Sequence, residues 1–150
     1  MTLFKRLPEL WQYVLLGVVL WIVVDWGTAG GFRIAYFQKY GPTLLLFYVG
    51  YPLVFSILAF RLRWSERRLF GATLVAILLI EVLFVGNPLL TTFPALLAGI
   101  QLAVAIYATL TYFPLWFVRG ELGRHRRLIA VLILVELIIM TLTTIGNPGP

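Results

Sequence analysis

From Val82 to Val118 the chain runs for thirty-seven residues without one charged side chain. About 20 apolar residues already suffice to cross a bilayer as a helix, and a soluble domain has no use for so long an uncharged stretch. Its interruptions are Asn87, Pro88, Thr91 and Thr92, so it reads as the end of one span, a turn and a whole further span. Composition extends the point to the entire chain, which is 61% hydrophobic and only 12% charged, with mean hydropathy +0.97. Soluble proteins carry about 25% charged residues. The expected class is all-α, a polytopic membrane protein forming a single integral-membrane domain.

Five spans are predicted, over 10–26, 43–60, 69–86, 94–118 and 128–145. The first follows Lys5 and Arg6, with Pro8 suited to its first turn because a proline there forfeits no helical hydrogen bond. Its basic start and the small residues Gly27 to Gly30 also have the form of a secretory signal; it is read as a retained helix. Residues 32–40 are too few to span, and they mix Phe32, Tyr36, Phe37 and Tyr40 with Arg33 and Lys39. That composition suits the headgroup layer, so a short interfacial segment is expected there. Pro52 in the second span and Pro114 in the fourth predict kinks, because each removes a backbone hydrogen bond. Gly86 followed by Pro88 is a helix stop.

Ten of the twelve Lys and Arg residues fall on one side if the N-terminus is inside: Lys5, Arg6, Arg61, Arg63, Arg67, Arg68, Arg119, Arg124, Arg126 and Arg127. Only Arg33 and Lys39 lie on the other. This bias predicts N-in and C-out in a cytoplasmic or other cell membrane. The eight loop arginines are the candidates for contact with anionic lipid headgroups. The net charge of +6 reflects a shortage of acids, six in all, more than an abundance of bases. Binding of nucleic acid is accordingly not expected.

The second half of the chain echoes the first. Pro52-Leu53-Val54-Phe55, a basic loop, Arg67-Arg68-Leu69, a span and Gly86-Asn87-Pro88 are answered by Pro114-Leu115-Trp116-Phe117, a basic loop, Arg126-Arg127-Leu128, a span and Gly146-Asn147-Pro148. One reading is a solitary helix followed by one helical hairpin written twice, a pattern that in transporters places sites between the repeats. The other is convergence on features that any membrane hairpin uses.

Two acids stand inside predicted spans. Counted from the basic loops, Glu81 lies roughly 18 Å and Glu136 roughly 12 Å along their helices, both read as mid-membrane. A carboxylate at such depth is expected to be protonated, paired or beside water. Glu81 and Glu136, with Gln101 as a possible hydrogen-bonding partner, are the candidate ligand- or ion-binding residues; the alternative role is hydrogen bonding between helices. Asp25 is expected near headgroup water, beside Arg33. Ala72 with Ala76, and Gly99 with Ala103, are spaced to let helices approach closely.

Other chemistry is thinly supplied. With no Cys, disulfides and thiolate sites are excluded. The single histidine, His125, falls in a basic loop, which excludes histidine-ligated haem or bacteriochlorophyll within the membrane; Glu121 is its one near acid in sequence. Glu9, Glu66 and Glu121 look too scattered to form a metal site or an acidic dyad. No P-loop, nucleophile elbow or zinc motif occurs, and no enzyme is expected. Trp21 lies deep enough to pack on a bound lipid tail, quinone or carotenoid. Three functions remain: a non-catalytic subunit or accessory protein packed among other membrane subunits; a small homo-oligomeric proton- or cation-linked transporter or channel using Glu81 and Glu136; and an enzyme acting on lipid.

Overall fold

A computed structural model describes residues 4–29 and 32–146, and among these no strand forms. Five of its helices are long and apolar enough to cross a membrane. After a 3-10 turn, Phe4–Arg6, the first helix α1 covers Glu9–Thr28, with Pro8 immediately before it accepting from the Trp11 and Gln12 amides. Helix α2, Ile34–Ser56, widens into a π-helical turn, Ile57–Arg61. Helix α3, Glu66–Ile77, likewise continues as a π-helical stretch, Leu78–Val85. A single turn α4, Pro88–Thr91, leads to α5, Ala95–Val118, and α6 is Arg126–Gly146.

The interfacial segment expected over 32–40 is not a separate element. Residues 34–40 are the opening turns of α2, which runs through Pro42. A proline removes one helical hydrogen bond without necessarily ending a helix. Here Tyr36 ties those turns to α1 by donating to Asp25 at 3.2 Å. The two prolines expected to kink their spans, Pro52 and Pro114, are fully buried inside α2 and α5. Gly86 adopts the left-handed conformation, φ 66°, and stops the third span as its position predicts. The corresponding second stop, Gly146-Asn147-Pro148, lies largely outside the described residues.

Neighbouring spans alternate in direction. Tyr13 meets Phe60 while Tyr48 meets Asp25, so α1 and α2 are antiparallel. Thr73 meets Thr111 while Glu81 meets Tyr107, so α3 and α5 are antiparallel too. The eight loop arginines therefore gather at one end of the bundle, all of them exposed. That end will be called the basic end.

Lipid tails are as apolar as leucine, so helices in a bilayer associate through close packing and hydrogen bonds. Both are visible. A Cβ on Gly17 would lie 2.7 Å from the Pro52 Cβ, so α1 and α2 touch at a point where only glycine fits. Deeper in, Thr111 collects polar groups from three other helices. Its carbonyl accepts from the Tyr13 hydroxyl at 3.0 Å, and its Oγ1 lies 2.6 Å from Tyr51 Oη and 3.2 Å from Thr73 Oγ1. Trp21 packs edge-on against Tyr51 and Tyr107, with centroids 5.3 and 5.4 Å away.

Two measurements check this architecture. Thr111→Val keeps the volume but strands the Tyr51 hydroxyl, and is expected to lower the stability of the detergent-solubilised protein by about 1–2 kcal/mol in an unfolding titration. Because the chain has no cysteine, Ser65→Cys and Thr92→Cys report topology directly. In the expected orientation an impermeant maleimide labels position 92 on intact cells and reaches position 65 only after permeabilisation.

Candidate functional site

The helix stop after the third span also orients an acid. Asn87 donates its backbone N–H to the Glu81 carbonyl at 2.8 Å and its side-chain Nδ2 to Glu81 Oε2 at 2.9 Å. Tyr107, from α5, donates to the other carboxylate oxygen at 2.8 Å. Glu81 stands in the π-helical stretch, a rare geometry that recurs at functional sites. Its depth corrects the sequence reading. Only four residues separate it from Val85, so it lies about 6 Å from the end of its helix, at the end opposite the arginines.

Asp25 is at a matching height, three residues before the end of α1. It is not simply turned to headgroup water. Its carboxylate accepts from Tyr48 at 2.7 Å and from Tyr36 at 3.2 and 3.3 Å, and it lies within electrostatic reach of Glu81. Both acids line one cavity of about 1050 Å³ walled by α1, α2, α3 with its π-helical extension, α5 and α6. Most of the wall is apolar, with Phe47, Ile80, Leu102 and Ile138 among its members, and Arg33 adds a basic side chain. Trp21 also lines it, 6% exposed, with an indole N–H that has no acceptor. Gly99 and Ala103, expected to bring helices together, instead leave room here.

The other two candidates from the sequence lie elsewhere. Glu136 is at mid-length in α6 and 5% exposed, but it is not a wall of this cavity, and among the described residues neither carboxyl oxygen has a hydrogen-bond partner. Nearby Thr109 commits its hydroxyl proton to the Ala105 carbonyl at 3.0 Å. Gln101 is exposed on α5 and is no part of the cavity wall. Thus Glu81 and Glu136, paired in the sequence reading, have different surroundings: the acid sharing a cavity with Glu81 is Asp25. The spacing shows why. Five residues separate Glu81 from Gly86 but ten separate Glu136 from Gly146, and the shorter spacing brings Asn87 of the helix stop within reach of Glu81.

At the basic end a second group forms, and it overturns the expectation that Glu66 and Glu121 are scattered. Glu66, in the first turn of α3, meets Glu121 and His125 from the turn joining α5 to α6, each offering a ligand atom within 4.8 Å of the others. Glu9 is not among them. The sequence separates Glu66 from Glu121 by 55 residues, but antiparallel packing of α3 on α5 puts both loops at the same end.

The chain matches no known protein family, no curated protein and no solved structure.

An unsatisfied buried polar group costs about 1–3 kcal/mol, and replacing it by an apolar group of similar shape is neutral or stabilising. Glu136→Met is therefore expected to raise the melting temperature of the solubilised protein or leave it unchanged. A clear drop would show that the carboxyl makes a contact essential to the fold.

Proposed function

We propose that the protein is a small cation-linked membrane carrier whose cavity takes an amphipathic molecule by its positively charged head. The observation that carries this reading is the placement of Asp25 and Glu81 on one largely apolar cavity at the end of the bundle opposite the arginines. Small-molecule sites are typically concave, mostly apolar and provided with a few convergent polar groups, at volumes of roughly 300–1,000 Å³. Acids within membrane spans recur on substrate and ion pathways. Two acids against one arginine leave an acidic excess, and uncharged groups donate to each carboxylate, Tyr36 and Tyr48 to Asp25, Tyr107 and Asn87 to Glu81. Carboxylate oxygens have lone pairs to spare beyond these bonds, and these would accept hydrogen bonds from an ammonium or similar head. The apolar wall receives the body of the ligand.

The transport reading of the sequence is thus kept with its residues changed: Asp25 joins Glu81, and Glu136 and Gln101 leave the site. The reading assigns no catalytic step. A lipid tail or another apolar molecule fits the same wall, but neither accounts for the two acids. Contact of the eight exposed arginines with anionic headgroups accompanies this reading as the mode of anchoring at the basic end.

Tetraphenylphosphonium is the probe of choice, because its permanent charge cannot be mistaken for hydrogen bonding. Saturable binding is expected by calorimetry on the solubilised protein, weakened about ten-fold or more in Asp25→Asn and in Glu81→Gln, where one carboxylate partner of a desolvated cation is lost. Glu136→Gln is expected to bind as the parent does. Equal affinity in the parent, Asp25→Asn and Glu81→Gln would sink the proposal.

A further inference from the structure

The carboxylates and imidazole at the basic end are held by neighbouring rings and by the backbone of the turn, with one Glu66 oxygen engaged by a tryptophan. Trp116 stands between them. Its ring stacks on His125 with centroids 4.1 Å apart and planes 7° from parallel, while its indole N–H donates to Glu66 Oε1 at 3.2 Å. Tyr112 stacks on the far side of Trp116 at 5.2 Å and donates to the Glu66 carbonyl at 2.8 Å. The turn carrying the other two groups is closed by its own backbone: the Glu121 amide donates to the Trp116 carbonyl at 2.8 Å, and the Arg124 and His125 amides return to the Glu121 carbonyl at 3.0 and 3.3 Å.

Against this support the group is chemically unfinished. Among the described residues His125 Nε2 is buried without a hydrogen-bond partner. Buried polar atoms in native proteins are nearly always paired, and each exception calls for an explanation such as a missing ion. Arginines crowd the same end. Even so, among the described residues no arginine hydrogen bond or ion pair reaches Glu66 or Glu121. One imidazole nitrogen and two carboxylate oxygens form a donor set suited to a divalent first-row cation, above all zinc, with a fourth position left to water.

We infer that Glu66, Glu121 and His125 form a divalent-metal site, of the zinc class, that staples the first turn of α3 to the turn between α5 and α6. The donors lie within 4.8 Å of one another. Metal bonds of about 2.0–2.2 Å would draw them to roughly 3.4 Å apart, a movement within the rotamer freedom of two half-buried glutamates. Trp116, bonded to Glu66 and stacked on His125, and Tyr112, bonded to the Glu66 carbonyl, already orient these ligands. The ion would add positive charge at the arginine-rich end and fix the first turn of α3 against the turn after α5, alongside the bonds that Tyr112 and Trp116 of α5 already make to Glu66. This site is at the opposite end of the bundle from the acidic cavity, and it stands whether or not the cavity binds cations.

The test uses the full chain purified without a polyhistidine tag, since His125 is its only histidine. Zinc chloride is the probe, with bound metal measured by mass spectrometry after desalting and affinity by calorimetry. One zinc per chain is expected, together with a melting temperature that rises with zinc concentration, as linkage requires for a ligand of the folded state. His125→Phe retains a flat ring to stack on Trp116, and Glu121→Gln retains shape; both are expected to melt as the parent does without metal and to bind zinc at least about ten-fold more weakly. Failure of the parent to bind zinc, or undiminished binding in both variants, would overturn the inference. If His125→Phe does not fold, Glu121→Gln decides.

Discussion

A membrane helix gains nothing by burying leucine against leucine in place of leucine against lipid, so the bundle rests on the groups that lipid cannot satisfy. Those groups converge on Thr111. Tyr13, Tyr51 and Thr73 bring hydroxyls to it from α1, α2 and α3, and the carbonyl that receives Tyr13 lies one residue along from the carbonyl that Pro114 deprives of its usual donor. In hydrocarbon each hydroxyl left alone would be costly, so these groups set the mutual rotation of four helices. Once α5 is locked in that rotation, the faces that carry Tyr107 toward Glu81 and Trp116 toward Glu66 follow.

The bundle then has two chemically different ends. At one, uncharged donors surround two acids on an apolar-walled cavity. At the other, exposed arginines surround two acids and a histidine mounted on stacked rings. Between them lies Glu136, buried at mid-length without a hydrogen-bond partner. Four of the five acids outside α6 thus take part in one or the other group, which is an economical use of a residue class that the membrane penalises.

Much of this was legible in advance, and the legible part shares one character. Span lengths, the stop at Gly86 and the placing of Pro52 and Pro114 inside spans all follow from local rules that connect a residue to neighbours within a turn or two. The gathering of arginines at one end follows from alternation of spans. Errors appear where a residue must be placed against another helix. Glu81 was measured from the wrong end of its span; counted from Gly86, the same sequence puts it one turn from the interface. Composition sets Phe32 to Tyr40 apart as a segment of its own, but 34–40 are continuous with α2, and Tyr36 has a partner on α1 that composition does not reveal. The π-helical stretch Leu78–Val85 has no proline or glycine inside it to announce it.

The sequence by itself determined that the chain is an all-helical bundle of five spans with its bases on one side, because bilayer thickness and charge solvation act on each segment separately. The tertiary structure alone decided which acids share a site. Asp25 with Glu81, and Glu66 with Glu121 and His125, are separated by 56 and 55 residues and brought together by helix rotation and direction. The small residues Gly99 and Ala103 likewise line the cavity only through the way neighbouring helices are turned. Rotation is set by a few interhelical hydrogen bonds between residues distant in the chain, and no periodicity within one helix records which partner it will meet.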